Sequence, residues 1–464
     1  MAESRDVVVI GAGPAGYAAA FMASDHGREV TMVDPEANPG GVCLYRGCIP
    51  TKALLHVVKT KREVSRAAEW GFTWQEPVVD LDTLRSWKNG VVAKLTKGVG
   101  SLARRREIEY LRGTARFDSP EDLTVSHEDG ESKLRAKNIV VATGSRPQVL
   151  PMMPDDDRVW VADSALDIPS VPGRMLVVGG GYIGLEMSYI YGGLGSSIDL
   201  VEMTQGLMPG ADRDLVGVFQ EVNKDLFSEV LLGTKVGSVD ADKDGLSVHF
   251  EGDDAPDGAR TYDAILLATG RTPILDTVNV EAAGLELTDE GYIAVDEQLR
   301  SSVDHIFAVG DVAGPPLLAH KGQHEGRIAG AVLGGEDVIH DVRAMPAVEY
   351  TEPEIAWTGL TETEAQAHGI EVTVSTFPWK ASGRAITMGR STGLTKLLFD
   401  PESGRLLGAG IAGTNADEMI GEASHAIEMS ATARDLELTV HAHPTLSETI
   451  RGAAERFFGT ATDI

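Results

Sequence analysis

Two segments of this chain repeat one pattern, and together they restrict the fold more than any other feature. Asp6-Val7-Val8-Val9-Ile10 runs into Gly11-Ala12-Gly13-Pro14-Ala15-Gly16, and Met175-Leu176-Val177-Val178 runs into Gly179-Gly180-Gly181-Tyr182-Ile183-Gly184. In each, a short continuous apolar run predicts a buried strand, the glycines a turn, and the following residues a helix (Tyr17–Ala23 region; Leu185–Tyr191 region). A second apolar run then ends in an acid, Asp34 after Val30-Thr31-Met32-Val33 and Glu202 after Ile198-Asp199-Leu200-Val201. Each acid lies 23 residues after the first glycine of its motif (11 to 34, 179 to 202).

An isolated GxGxxG says little, because glycine turns are common. Two copies, each with strand, helix and acid in place, predict two dinucleotide-binding units. Gly11 and Gly179 make the tight turns, Gly13 and Gly181 let a pyrophosphate approach the backbone, and Gly16 and Gly184 allow close helix–strand packing. The helix N-termini offer free N–H groups to the phosphates, and Asp34 and Glu202 take ribose hydroxyls. Glu202 would repel a 2′-phosphate, and no basic residue occurs between Met203 and Ala211, so the second unit is expected to take NAD rather than NADP.

A further repeat closes each half. Val140-Val141-Ala142-Thr143-Gly144-Ser145-Arg146-Pro147 matches Leu266-Leu267-Ala268-Thr269-Gly270-Arg271-Thr272-Pro273, a strand leaving its sheet and turning. Thr143, Gly144 and Gly270 are therefore candidate cofactor contacts. Pro151–Asp157 has the composition of a linker. After Pro346 the dinucleotide patterns stop; strands are expected at Glu371–Phe377 and Gly393–Phe399, and helices at Thr361–His368 and Asp417–Ser430. The expected architecture is α/β: two Rossmann-like units, 1–148 with 274–345 and 149–273, and a C-terminal α+β domain, 346–464.

The 464 residues carry only two cysteines, five apart, in Gly40-Gly41-Val42-Cys43-Leu44-Tyr45-Arg46-Gly47-Cys48-Ile49-Pro50-Thr51-Lys52. No run of 18 apolar residues suggests a membrane span, and the strand pattern beginning at Val7 leaves no room for a signal peptide, so a cytoplasmic protein is expected. There a close cysteine pair is more often catalytic or metal-binding than structural. No second pair exists and His56 stands alone, which disfavours a metal. In a regular helix, residues five apart have Cα atoms about 8–9 Å apart, whereas a disulfide needs roughly 4.4–6.8 Å. The segment must therefore depart from regular helix; Gly47 permits an unusual backbone angle, and Pro50 cannot donate to Arg46. A strained, exposed disulfide is the more reducible kind. Nicotinamide moves hydride and dithiols react as thiolates. A flavin reacts with both, which places FAD in the first unit, close to the cysteines.

The charge balance, 41 basic against 70 acidic residues and a net −29, opposes binding to nucleic acid or anionic membranes. It also fits a halophilic cytoplasm, where a Debye length of about 3 Å at molar salt screens the repulsion among carboxylates.

The cysteine segment resembles the redox-active segment of the flavin-dependent disulfide reductases. Ile306-Phe307-Ala308-Val309-Gly310-Asp311 resembles their second FAD motif, and His441-Ala442-His443-Pro444-Thr445-Leu446-Ser447-Glu448 their C-terminal catalytic segment. Within that family, Gly181 to Glu186 and His443 to Glu448 are most similar to the members that oxidise dihydrolipoamide. The resemblance implies that Cys43 exchanges with the substrate dithiol and that Cys48 becomes the thiolate facing the flavin. His443 is then the base and Glu448 its orienting group. Lys52, paired with Glu186, lies by the flavin, and Gly310 and Asp311 contact FAD. It further implies a homodimer whose second subunit supplies the His–Glu pair, and a dithiol that is free or carried by a 2-oxoacid dehydrogenase complex or a glycine-cleavage protein. Asp34 stands where Glu is usual, Val42 replaces the common Thr, and Tyr45-Arg46 replace a smaller pair. The competing readings are a reductase of another low-molecular-weight disulfide, which usually takes NADPH, and a non-catalytic FAD-bound subunit, which need not retain Cys43, Cys48, His443 and Glu448 together.

Overall fold

The computed structural model describes residues 2–75 and 77–462. Both apolar–glycine segments form the centre of a parallel sheet. In the first, Val7, Val8 and Val9 are fully buried on the strand Glu3–Ile10, which pairs with Val30–Asp34 on one side and Gly130–Val141 on the other. Glu109–Arg112 and Ile306–Ala308 extend the parallel part. In the second, Arg174–Val178 pairs with Ser197–Val201 and Ala264–Leu267, flanked by Phe227–Leu231 and Val159–Val161, all parallel. Continuous apolar strands suit such sheets because helices cover both faces. Each parallel sheet is accompanied by an antiparallel meander: Thr114–Phe117, Asp122–His127 and the early part of Gly130–Val141 in the first half, and Thr234–Asp242, Gly245–Gly252 and Arg260–Tyr262 in the second. The duplication seen in the sequence is thus a duplication of topology.

The two A-T-G repeats do more than leave their sheets. Ser145–Pro147 and Arg271–Pro273 pair with each other, antiparallel, Arg271 opposite Pro147. The two crossing points between the halves are therefore one hydrogen-bonded ribbon, a pairing that neither repeat reveals when read alone.

The helix Pro14–Asp25 packs against Ala319–Leu333 at backbone contact distance. Gly322, Gly326 and Gly330 recur every fourth residue and form one stripe. A Cβ on Gly326 would lie 2.2 Å from the Ala15 carbonyl oxygen, and one on Gly330 2.6 Å from that of Ala19. This contact fixes the first glycine helix against the segment that carries Gly310 and Asp311.

In the C-terminal part, an antiparallel sheet runs Ala347–Glu349, Glu354–Gly359, Leu406–Gly413, Leu394–Phe399, Thr373–Pro378. Helices Ala416–Glu428 and Glu448–Phe457 cover it through Trp379, Phe377, Ile420 and Ile450. The helix expected from Thr361 begins at Glu362 because Thr361 is its N-cap, accepting from the Glu364 N–H. The one expected to reach Ser430 ends at Glu428, and Ser430 takes a left-handed φ of 55°. Among the described residues no helix is long and apolar enough to cross a membrane.

Candidate active site

The cysteine segment breaks where its geometry demands. A short helix, Gly41–Arg46, carries Cys43; a long one, Cys48–Arg66, starts at Cys48; between them Gly47 has φ −142° and ψ −116°. The Gly47 carbonyl accepts both the N–H and the hydroxyl of Thr51, so the second helix begins with its first turn tied down. Both cysteines are partly exposed free thiols, and once Cys48 ionises the Cys43 thiol is the donor from which its sulfur accepts a hydrogen bond. That bond, against the cost of burial and with help from the Lys52 charge, lowers the Cys48 thiol to about 7. Donating the bond and being buried raise Cys43. The pair therefore holds one proton readily and the second poorly, with the negative charge on Cys48.

Lys52 lies one turn further along the same helix. Its Nζ is 2.7 Å from Glu186 Oε1, which reaches in from the second glycine helix, Tyr182–Leu194. It also lies over the face of Tyr350, 4.1 Å from the ring centroid. Burial works against the ammonium, but the charge and hydrogen bond of Glu186 hold the Lys52 pKa above its ordinary value. Tyr350 was not singled out by any sequence signal; it follows a three-residue strand and carries no motif.

The first glycine motif adjoins this segment directly. Gly41 has φ +57°, and a Cβ there would lie 2.5 Å from the Gly13 Cα. Glycine at position 41 is what lets the cysteine helix start against the turn; a Cβ on Gly13 would meet the Gly41 Cα at an ordinary 3.7 Å. A Cβ on Gly11 would meet the Ala142 carbonyl at 2.3 Å and one on Gly16 the Gly11 carbonyl at 1.9 Å. The second motif repeats this: Gly179 against Ala268 O at 2.4 Å, and Gly184 against Gly179 O at 1.9 Å. Gly181, by contrast, faces open space. Both glycine helices start without a side-chain cap and without an acid in the first turn. Their N–H groups are left for an anion, so the residues present fit a dinucleotide pyrophosphate at each turn.

The two acids are held alike. Asp34 Oδ2 accepts the Ala12 N–H and its Oδ1 the Glu36 N–H, at 2.7 and 2.9 Å. Glu202 Oε2 accepts the Gly180 N–H and its Oε1 the Thr204 N–H, at 2.7 and 2.8 Å. Backbone donors fix each carboxylate, and its remaining lone pairs stay open to hydroxyls. Burial raises the Asp34 pKa despite both bonds. The nearest arginine after Glu202, Arg213, spends its guanidinium on the Leu207, Met208 and Ala211 carbonyls. Tyr45 and Arg46 bind the loop that follows Asp34: the Tyr45 hydroxyl donates to the Asn38 carbonyl, and Arg46 pairs with Glu36 at 2.6 Å.

Asp311 sits in a one-turn helix after Ile306–Ala308 and accepts from the Ser145 hydroxyl; Arg271 donates to the Ser145 hydroxyl and carbonyl. The A-T-G ribbon and the Gly310-Asp311 turn are thus linked. Gly310, at φ +79°, gives its N–H to buried Glu325, itself paired with Lys321 four residues back. Neither Lys321 nor Glu325 belongs to a sequence motif that points to Gly310. The Thr143 hydroxyl donates to the Ile274 carbonyl, and Gly144 and Gly270 have φ of +72° and +113°.

Among the described residues no hydrogen bond or ion pair joins His443 or Glu448 to either cysteine. His443 Nδ1 is 3.0 Å from Glu448 Oε1, with 81% of the imidazole exposed. Burial opposes ionisation of Glu448, but the Thr445 N–H and His443 lower its pKa overall. His441 turns away to Glu422. Among the described residues no group of three or more His, Cys, Asp or Glu could hold a metal.

Residues 5–326 match the family model of the pyridine nucleotide-disulphide oxidoreductases, and residues 345–454 match the dimerisation domain of the same family. The chain belongs to that family. Relatives named dihydrolipoyl dehydrogenase include that of Vibrio cholerae, 48% identical over 99% of this chain and 96% of that protein. Another, from Haloferax volcanii, is 40% identical over 99% and 98%. Among solved structures, LpdA from Mycobacterium tuberculosis superposes with a TM-score of 0.90 at 25% identity, covering 97% of this chain and 99% of that one. The HOCl-induced flavoprotein disulfide reductase RclA from Escherichia coli superposes at 0.86 and 25% identity, over 97% and 99%.

Proposed function

We propose that this chain is a dihydrolipoyl dehydrogenase: it oxidises dihydrolipoamide to lipoamide through a Cys43–Cys48 disulfide, with FAD at the first glycine turn and NAD+ at the second. The observation that carries this reading is the Cys43–Cys48 pair at a helix break, with Lys52–Glu186 beside it and the Gly13 turn in contact with Gly41. When bound, the flavin supplies the conversion between thiolate and hydride chemistry, and the nicotinamide carries the hydride away.

The chain's own residues do the rest. A substrate thiolate attacks the Cys43 sulfur of the disulfide, and Cys48 leaves as the thiolate that Lys52 stabilises; the substrate's second sulfur then displaces Cys43 from the mixed disulfide, and Cys43 takes a proton to become the thiol beside Cys48. His443 takes the substrate's proton and Glu448 orients the imidazole, a base and orienter in the usual relation. Because the His443 imidazole is exposed and makes no hydrogen bond or ion pair with the cysteines of its own chain among the described residues, it serves the cysteines of the second copy in a homodimer. Glu202 with no free arginine beside it supports NAD over NADP, and so disfavours a glutathione-type reductase. The dihydrolipoyl group is free or borne by a 2-oxoacid dehydrogenase complex or a glycine-cleavage protein, in the cytoplasm.

The test is NAD+ reduction by dihydrolipoamide. We expect turnover with NAD+ well above that with NADP+, and near-complete loss in His443→Gln with the flavin spectrum intact. Wild-type turnover in that variant, or a preference for NADP+, overturns the corresponding assignment.

A further inference from the structure

Behind Lys52 lies a carboxyl that the reaction as described does not use. Glu349 ends the strand Ala347–Glu349, is fully buried, and has no hydrogen-bond partner for either oxygen among the described residues. The Thr351 amide faces it without closing a bond. Its chain neighbour is Tyr350, whose ring carries the Lys52 ammonium. The groups that face it are Lys52 and Lys59, two turns apart on one side of the cysteine helix, and Glu186 and Tyr182 from the second glycine helix. Beyond Lys59, Glu354 of the partner strand takes that ammonium at 2.5 Å, and Asp417 of the helix Ala416–Glu428 meets Glu354.

An unpartnered buried carboxylate is costly, so such a group stays protonated unless a cation is free to receive it. Here Lys52 already serves Glu186 and the Cys48 thiolate. A third anion on the same ammonium is penalised whenever the thiolate exists and less so when the cysteines are joined. Burial and the charge of Glu186 push the Glu349 pKa well above the ordinary carboxylate range, in the same direction.

We propose that Glu349 is a positioning residue for the dithiol step, an uncharged acid while Cys48 is a thiolate, which leaves Lys52 to the sulfur, and an ionised competitor for Lys52 at higher pH when the disulfide is closed. This rests on the reading that Cys48 bears the charge. The step balances: the substrate dithiol breaks the Cys43–Cys48 bond, its two sulfurs join, and its electron pair ends on Cys48. One of its protons goes to Cys43. The other stays on Cys48 below its midpoint near 7 and leaves through His443 above it; where Glu349 is ionised in the disulfide form, proton uptake at Glu349 matches that release.

The experiment compares wild type, Glu349→Gln and Glu349→Asp as holoenzymes, measuring the dithiol–disulfide equilibrium against the dihydrolipoamide–lipoamide couple as a function of pH. We expect Glu349→Gln to match wild type at acid pH. On the alkaline side its equilibrium should become the more reduced by up to about tenfold per pH unit, or about 30 mV, and Glu349→Asp should keep the wild-type slope. A constant ratio at all pH, or one already large at acid pH, overturns the proposal. Should the variants fail to fold, proton uptake by the wild type on anaerobic reduction decides: above the Cys48 midpoint near 7 it should rise with pH, and a flat or falling count there refutes the role. Absence of a dithiol couple in wild type would instead reject the function proposed above.

Discussion

The lowered Cys48 thiol is the feature whose cause can be separated most cleanly. Its midpoint near 7, against an ordinary 9.0, is assigned first to the hydrogen bond from Cys43 and then to Lys52. Cys43→Ser and Cys43→Ala each leave one thiol and differ by one donor. A hydrogen bond to a charged group is worth about 1.5–3 kcal/mol. At 1.36 kcal/mol per unit that is about one to two pKa units. Cys43→Ser should therefore keep half-ionisation near 7, and Cys43→Ala should move it to about 8–9. At neutral pH the thiolate fraction falls from about one half to between about one tenth and one hundredth, so iodoacetamide should alkylate Cys48 roughly 5- to 50-fold more slowly. Rates read by mass spectrometry over a pH series, with thiolate ultraviolet absorbance as a second measure, give both midpoints. Lys52→Met on the Cys43→Ser background should raise the midpoint again. Equal midpoints for the serine and alanine variants would refute the hydrogen bond as the main cause.

Three further outcomes follow from other parts of the molecule. Lys396 is 1% exposed and faces Asp212, Asp214 and Glu362, joining the second half to the C-terminal part; Lys396→Met leaves buried Asp212 with only the Glu362 and Thr363 donors and should cost about 1–3 kcal/mol, seen as a lower first thermal transition. Glu422 raises the His441 pKa by its hydrogen bond; the stabilisation is full below the unfolded value of about 6.5 and is lost as pH rises through the folded one, so the Tm gap between wild type and His441→Asn should shrink from about pH 6 to pH 8. With a net charge of −29, Tm and turnover should rise with molar KCl, and full stability in dilute buffer would count against a halophilic adaptation.

Much of the fold was legible because its signals are local. A strand, a glycine turn and a helix are contiguous in sequence, and Asp34 and Glu202 follow at fixed distance, so both cradles could be named before any coordinate. The break at Gly47 could be anticipated because it follows from the reach of a disulfide against the rise of a helix. What sequence could not supply were partners from distant segments. Ser145, Asp311 and Arg271 are linked only because two repeats 126 residues apart pair as strands. Glu349 and Tyr350 enter the Lys52 site from a strand almost 300 residues further on, in a segment with no motif.

The two cradles, so alike in sequence, are made chemically unlike by one contact. Gly181 opens on empty space, whereas Gly13 is met by Gly41 at the start of the cysteine helix. Placing the thiols beside the first turn therefore depends less on the glycine motif, which both halves possess, than on a second glycine with positive φ thirty residues away. A side chain at Gly41 would push the helix off the turn and move Cys43, Cys48 and Lys52 together. The cysteine pair and its charge partner are thus positioned together by backbone contact, and the second cradle lacks such a contact at Gly181.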